Sequence, residues 1–140
     1  MKTYAGNVYI ELPGAWNDDS SFVYRSPGSD IEIRVERFPV GAPATPDSLL
    51  DTIEERLKLL GPLEQSKRGN TEVSGQKAAT LSVVCKREGD KETSLMEVLV
   101  FKASETAAVS VTATAPKKQQ GSLASAWRDV LSKTKIVEVR

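Results

Sequence analysis

Asp18 and Asp19 are the first residues along the chain whose types and spacing could do chemistry. Adjacent carboxylates can hold a divalent cation or share acid–base work. A calcium loop, however, spaces many oxygens around a central glycine and closes on a glutamate, and "NDDSS" (residues 17–21) does neither. Asn and Asp also bond the nearby backbone in ordinary turns, which is the reading this stretch supports. Ser132 and Lys135 match the bare Ser-x-x-Lys pattern of some acyl enzymes, without the companion motifs of that class. Cys85 is followed by Lys86 and Arg87, a setting that can lower a thiol pKa, yet it runs in phase with Leu81 and Val83 and reads as a buried apolar thiol.

The totals narrow the chemistry further. The 140 residues include no histidine and one cysteine. That removes the commonest neutral-pH base, the commonest metal ligand, any intrachain disulfide and any cysteine cluster for zinc. No glycine-rich phosphate loop follows a strand pattern. No catalytic residue, metal or cofactor is therefore expected, and the chain is not expected to be an enzyme. Lys plus Arg equals Asp plus Glu at 19 each. Without a basic surface there is no electrostatic case for nucleic acid or for an anionic membrane. No run approaches the length of a membrane span, so direct insertion is not expected. "MKTYAGNVYIELPG" lacks the apolar stretch of a signal peptide, and the expectation is a cytoplasmic protein.

The elements that must position any site read as follows. "NVYIEL" alternates with the period of a strand, and "SFVYRS" and "DIEIRVERF" flank the turn signal "SPGSD". Ile31, Ile33 and Val35 share one face of the latter; Glu32, Arg34 and Glu36 share the other. "TPDSLLDTIEERLKLLGP" is the clearest helix, with Thr45 as cap, Pro46 at the first position and Gly61-Pro62 as the stop. Its buried stripe is Leu49, Leu50, Ile53, Leu57 and Leu60, and Glu54, Glu55, Arg56 and Lys58 make its wet side. Four strand patterns follow: "LEQSKRGNTEVSG" as an outer strand, "QKAATLSVVCKRE" and "KETSLMEVLVFKA" around Gly89-Asp90, and "AAVSVTATAP". "SLASAWRDVLSK" closes as a second amphipathic helix, with Leu123, Trp127, Val130 and Leu131 inward, ahead of the short "KIVEVR". The order predicts one α+β domain over residues 1–140, with helices on a mostly antiparallel sheet.

"IELPGAWNDDS" as a whole resembles the amino-terminal signature of the DcrB-like family of bacterial unknown-function domains, carried here by Leu12, Pro13, Trp16, Asp18 and Ser20. The hairpin–helix–four strands–helix layout, Trp127 and the Gly75-x-x-Ala78 step are also similar to that family. The resemblance implies a PsbP-like fold, an α/β/α sandwich with about six to seven antiparallel strands and two main helices. It implies a structural corner, with Pro13 in the turn, Trp16 packed and Asp18 bonding the backbone. Compact members without a leader resemble the effector-associated chaperones of type VI secretion. That implies a homodimer whose partner is the hydrophobic transmembrane segment of a toxin, held before export.

Alternation divides "KETSLMEVLVFKA" into Leu95, Leu99 and Phe101, interrupted by Glu97, and Ser94, Met96, Val98 and Val100. The first set suits a core beneath a helix. The second, smaller and including the adaptable Met96, suits a partner-binding groove with Val23 and one side of the first helix, where Thr52 and Arg56 lie one turn apart. Core packing of both faces is the competing expectation. Docking of a folded partner and carriage of a small ligand are the alternative functions.

Overall fold

The computed structural model describes residues 2–5, 8–11, 21–25, 28–86 and 93–136. Two short strands, β1 (Lys2–Ala5) and β2 (Val8–Glu11), form an antiparallel pair of their own. β1 carries too short a pattern to announce itself in the sequence. The remaining strands are β3 (Ser21–Arg25), β4 (Glu32–Pro39), β5 (Leu63–Val73), β6 (Gln76–Cys85), β7 (Ser94–Ser104) and β8 (Ala107–Pro116). They make a six-stranded sheet in the order β3-β4-β8-β7-β6-β5, antiparallel at every pairing. The helices are α1 (Pro46–Leu60) and α2 (Gln120–Lys133), the latter entered through a single 3₁₀ turn at Lys117–Gln119. The α+β architecture expected from the element order is the one observed.

Local chemistry accounts for the boundaries. The Thr45 hydroxyl accepts from the Ser48 amide at 3.1 Å while the Ser48 hydroxyl accepts from the Thr45 amide at 2.9 Å. This reciprocal cap satisfies two donors that a helix start leaves open. Ser74 and Gly75 both take positive φ, 52° and 78°, which is the primed two-residue turn whose twist suits the β5–β6 hairpin. The Ser74 hydroxyl also accepts from the Ile136 amide at 2.8 Å, tying the chain beyond α2 to that turn.

The sheet buries both faces, and each helix takes one. Leu95, Leu99 and Phe101 pack with Leu123 and Trp127 of α2, joined by Ile31, Val111 and Ala113. Met96, Val98 and Val100 pack with Leu50 of α1, joined by Ala79, Leu81 and Val83. Leu49, Ile53 and Leu57 flank Leu50, as the helical stripe requires. Cys85 is buried in phase with Leu81 and Val83.

One helix residue departs from expectation. Glu54 is not on a wet side: its side chain is only 16 % exposed, held by Arg68 of β5 at 2.9 Å. Arg68 also reaches Asp51 at 2.7 Å, and Lys77 of β6 reaches Asp47 at 3.3 Å. These pairs fix one flank of α1 over the β5 side of the sheet. Gly89-Asp90 and residues 137–140 lie outside the described residues.

Candidate functional site

Hydrogen-bonded register places the groove residues expected from the sequence. Val23, Arg34, Thr112, Val98, Leu81 and Arg68 form one row across all six strands, on the face that α1 covers. The next row towards the start of β7 runs Arg25, Glu32, Thr114, Met96, Val83 and Ser66. Val23, Met96 and Val98 therefore share a face, and Ser94 lies at its end, opposite Pro116 and Cys85.

Sharing a face does not make them one surface. Met96 is 7 % exposed and Val98 is 0 % exposed, because α1 seats Leu50 and its neighbours on them. They are core, which corrects their assignment as partner-binding residues. Packing beneath the α1 stripe already takes both side chains out of water, worth about 1.5–3 kcal/mol each, and leaves no apolar surface there for a partner. Val23, on the outer strand, is 40 % exposed. Thr52 and Arg56 are exposed, and the Thr52 hydroxyl donates to the Ser48 carbonyl at 3.5 Å. Since Asp47, Asp51 and Glu54 face β5 and β6, helical spacing puts Thr52 and Arg56 on the opposite flank, toward β8. Pro13, Trp16 and Asp18 lie outside the described residues.

Between that flank and Val23 lie a row of small hydroxyl side chains on β8 and a charged row on β4. α1 lies over β6 and β7, so the same face of β8, β4 and β3 extends beyond its footprint. β8 contributes Ser110, Thr112 and Thr114 there, the last two half-buried. β4 contributes Glu32, Arg34 and Glu36, linked by pairs at 3.5 and 3.8 Å, with Arg25 of β3 on Glu32 at 3.4 Å. Strands lie about 4.8 Å apart and a helix is about 10 Å wide, so a second helix beside α1 would centre on the β8–β4 seam. Sequence reading took "AAVSVTATAP" only as a strand; the Ser/Thr positions alternating with its apolar residues were the available signal.

The other face carries a different feature. The row Tyr24, Ile33, Ala113, Glu97, Ser82 and Lys67 lies on the α2 side, and Glu97 sits half-buried in it. Burial raises its carboxyl pKa above the ordinary 4.5, and the Ser82 hydroxyl, donating to Oε2, offsets part of that rise. The sequence shows Glu97 only as an interruption in an apolar series. Among the described residues, no group of three or more acidic or cysteine side chains is placed to hold a metal ion. Nor is any described helix long and apolar enough to cross a membrane.

With this geometry in hand, solved structures supply the comparison. PA94, a protein of unknown function from Pseudomonas aeruginosa, superposes with a TM-score of 0.70 at 19 % identity, covering 100 % of this chain and 96 % of that one. LpqN, involved in cell envelope biogenesis of Mycobacterium tuberculosis, superposes with a TM-score of 0.62 at 18 % identity, covering 84 % and 71 %. The fold is shared with bacterial proteins. No family model and no curated protein matches the sequence.

Proposed function

We propose that this chain is a DcrB-like domain of the PsbP-like type acting as an effector-associated chaperone or adaptor of type VI secretion. Its cargo is the hydrophobic transmembrane segment of a toxin, held in the cytoplasm before export, and its working form is a homodimer. The role is binding, without catalysis or cofactor.

One observation carries the reading: the row of Ser110, Thr112 and Thr114 on β8 beside α1, bounded on its far side by the charged row of β4. Small residues let a helix backbone approach closely, and hydroxyls can bond its polar groups where hydrocarbon cannot. Thr52 and Arg56 are exposed on the flank of α1 away from β5 and would offer polar contacts to the cargo. A shallow seat of this kind releases its guest more easily than a deep apolar pocket. The amino-terminal motif around Pro13, Trp16 and Asp18 supports the family part of the reading.

The test is co-expression with a toxin encoded beside the gene, with and without its amino-terminal transmembrane segment, followed by pull-down and sizing. Capture is expected to require the segment and to be lost in Val23→Asp and Thr112→Trp, which alter the seat and leave the buried valines alone. Capture that ignores the segment would instead favour a module docking a folded partner. The charged pairs of Arg25, Glu32, Arg34 and Glu36 give that second reading its own observation.

A further inference from the structure

The α2 face holds a cavity that the cargo seat does not use. It measures about 280 Å³ and lies between the first turns of α2, at Gln120 and Leu123, and strands β5 to β7. That is near the foot of the roughly 300–1,000 Å³ range of ligand pockets, a size for a metabolite rather than a peptide. Its walls combine apolar Leu95 and Leu123 with polar Ser82, Glu97, Lys67 and Gln120.

Glu97 is the feature that needs explaining. It interrupts Leu95 and Leu99 on a central strand, facing the helix layer. Keeping a carboxylate half out of water costs free energy unless something charged meets it. Ser82 supplies one hydrogen bond to Oε2, and no described charge offsets the burial. The nearest cation along the row is Lys67, one strand beyond Ser82 and exposed at the rim. Two strand spacings put the two backbones about 10 Å apart, a span that a short molecule can bridge.

We propose that this cavity binds a short amino-acid zwitterion, its ammonium on Glu97 and its carboxylate on Lys67. The pairing of charges makes the choice. A simple amine would meet Glu97 but be repelled by Lys67, and a simple acid the reverse. A zwitterion satisfies both ends and lays its methylenes on Leu95 and Leu123, while Gln120 can bond either end.

Isothermal titration calorimetry of the full chain at neutral pH tests this with 4-aminobutyrate, butylamine and butyrate. 4-Aminobutyrate is expected to bind at least about tenfold tighter than either one-ended analogue. Glu97→Gln and Lys67→Met are each expected to lose about tenfold in affinity, with circular dichroism unchanged. Lys67 is exposed, so its variant reads the site even if the Glu97 change disturbs packing. No heat from 4-aminobutyrate at millimolar concentration, equal binding of the one-ended analogues, or full affinity in Lys67→Met would each overturn the proposal.

Discussion

Glu97 ties a stability profile to a single side chain. Its folded pKa lies above the ordinary 4.5 chiefly because burial disfavours the anion, and the Ser82 bond opposes this only in part. A raised carboxyl pKa means that the folded chain binds the proton more tightly than the unfolded one. Stability from this group is therefore greatest at acid pH and falls as pH rises through the raised value. The neighbours facing it, Ala113, Ser82, Leu123 and Ala124, carry no charge, and Lys67 is the one cation in its row. Glu97→Gln should remove this dependence, so that urea midpoints of wild type and variant diverge as pH rises above the ordinary 4.5, the variant being the more stable on the high side. Coincident curves over that range would show that water reaches the carboxyl freely. Met96 and Val98 teach the complementary lesson. Alternation in "SLMEVLVF" assigned both residues to the correct face but could not say what covered it, since two layers of apolar residues look alike before a helix is placed on either. Asp at either position is expected to prevent folding, by leaving a carboxylate unpaired in the core. Asp at Val23, 40 % exposed, should leave the melting temperature nearly unchanged. Thermal melts of the three variants check the contrast.

Among elements, α1 is the most legible and the most consequential. Its cap, first-turn proline, apolar stripe and glycine stop were all readable, because each acts within a few residues of itself. The flank that meets β5 was not, since the Arg68 pairs with Asp51 and Glu54 join positions far apart in sequence. Leu50 is fully buried between α1 and the sheet, whereas Leu59 is 87 % exposed on the same helix. Leu50→Ala should cost about 2–5 kcal/mol and Leu59→Ala almost nothing, by chemical denaturation. Arg68 works at a smaller scale. Its pairs are partly solvated, so Arg68→Ala should cost no more than about 1 kcal/mol, an effect that fades when the titration is repeated in high salt. The β5–β6 turn was legible only at Gly75; that Ser74 would also take positive φ follows from the twist of the strands on either side.

At the scale of the whole molecule, the sequence order of strands and helices was enough to give an α+β layering, because amphipathic elements have few ways to bury their faces. The order within the sheet was not, and it has a temporal consequence. β5, β6, β7 and β8 form a simple meander, in which β6, β7 and β8 each pair with the strand before them in the chain. β4 instead pairs with β8, so residues 32–39 must wait for residues 107–114. Closing that long loop is the entropically expensive step, and it comes sensibly after the meander exists to receive it. Pulsed hydrogen exchange during refolding should protect β6 and β7 amides first and β4 amides last; simultaneous protection would contradict this order. The strip beside α1 is bounded on one side by β4, so its outer wall is also the last part of it to form. On the ribosome, α1 and the β3–β4 hairpin emerge long before their place in the sheet does. Under the chaperone reading proposed above, a guest helix would find no seat until nearly the whole chain has been made, so synthesis and first capture would be separated by a delay.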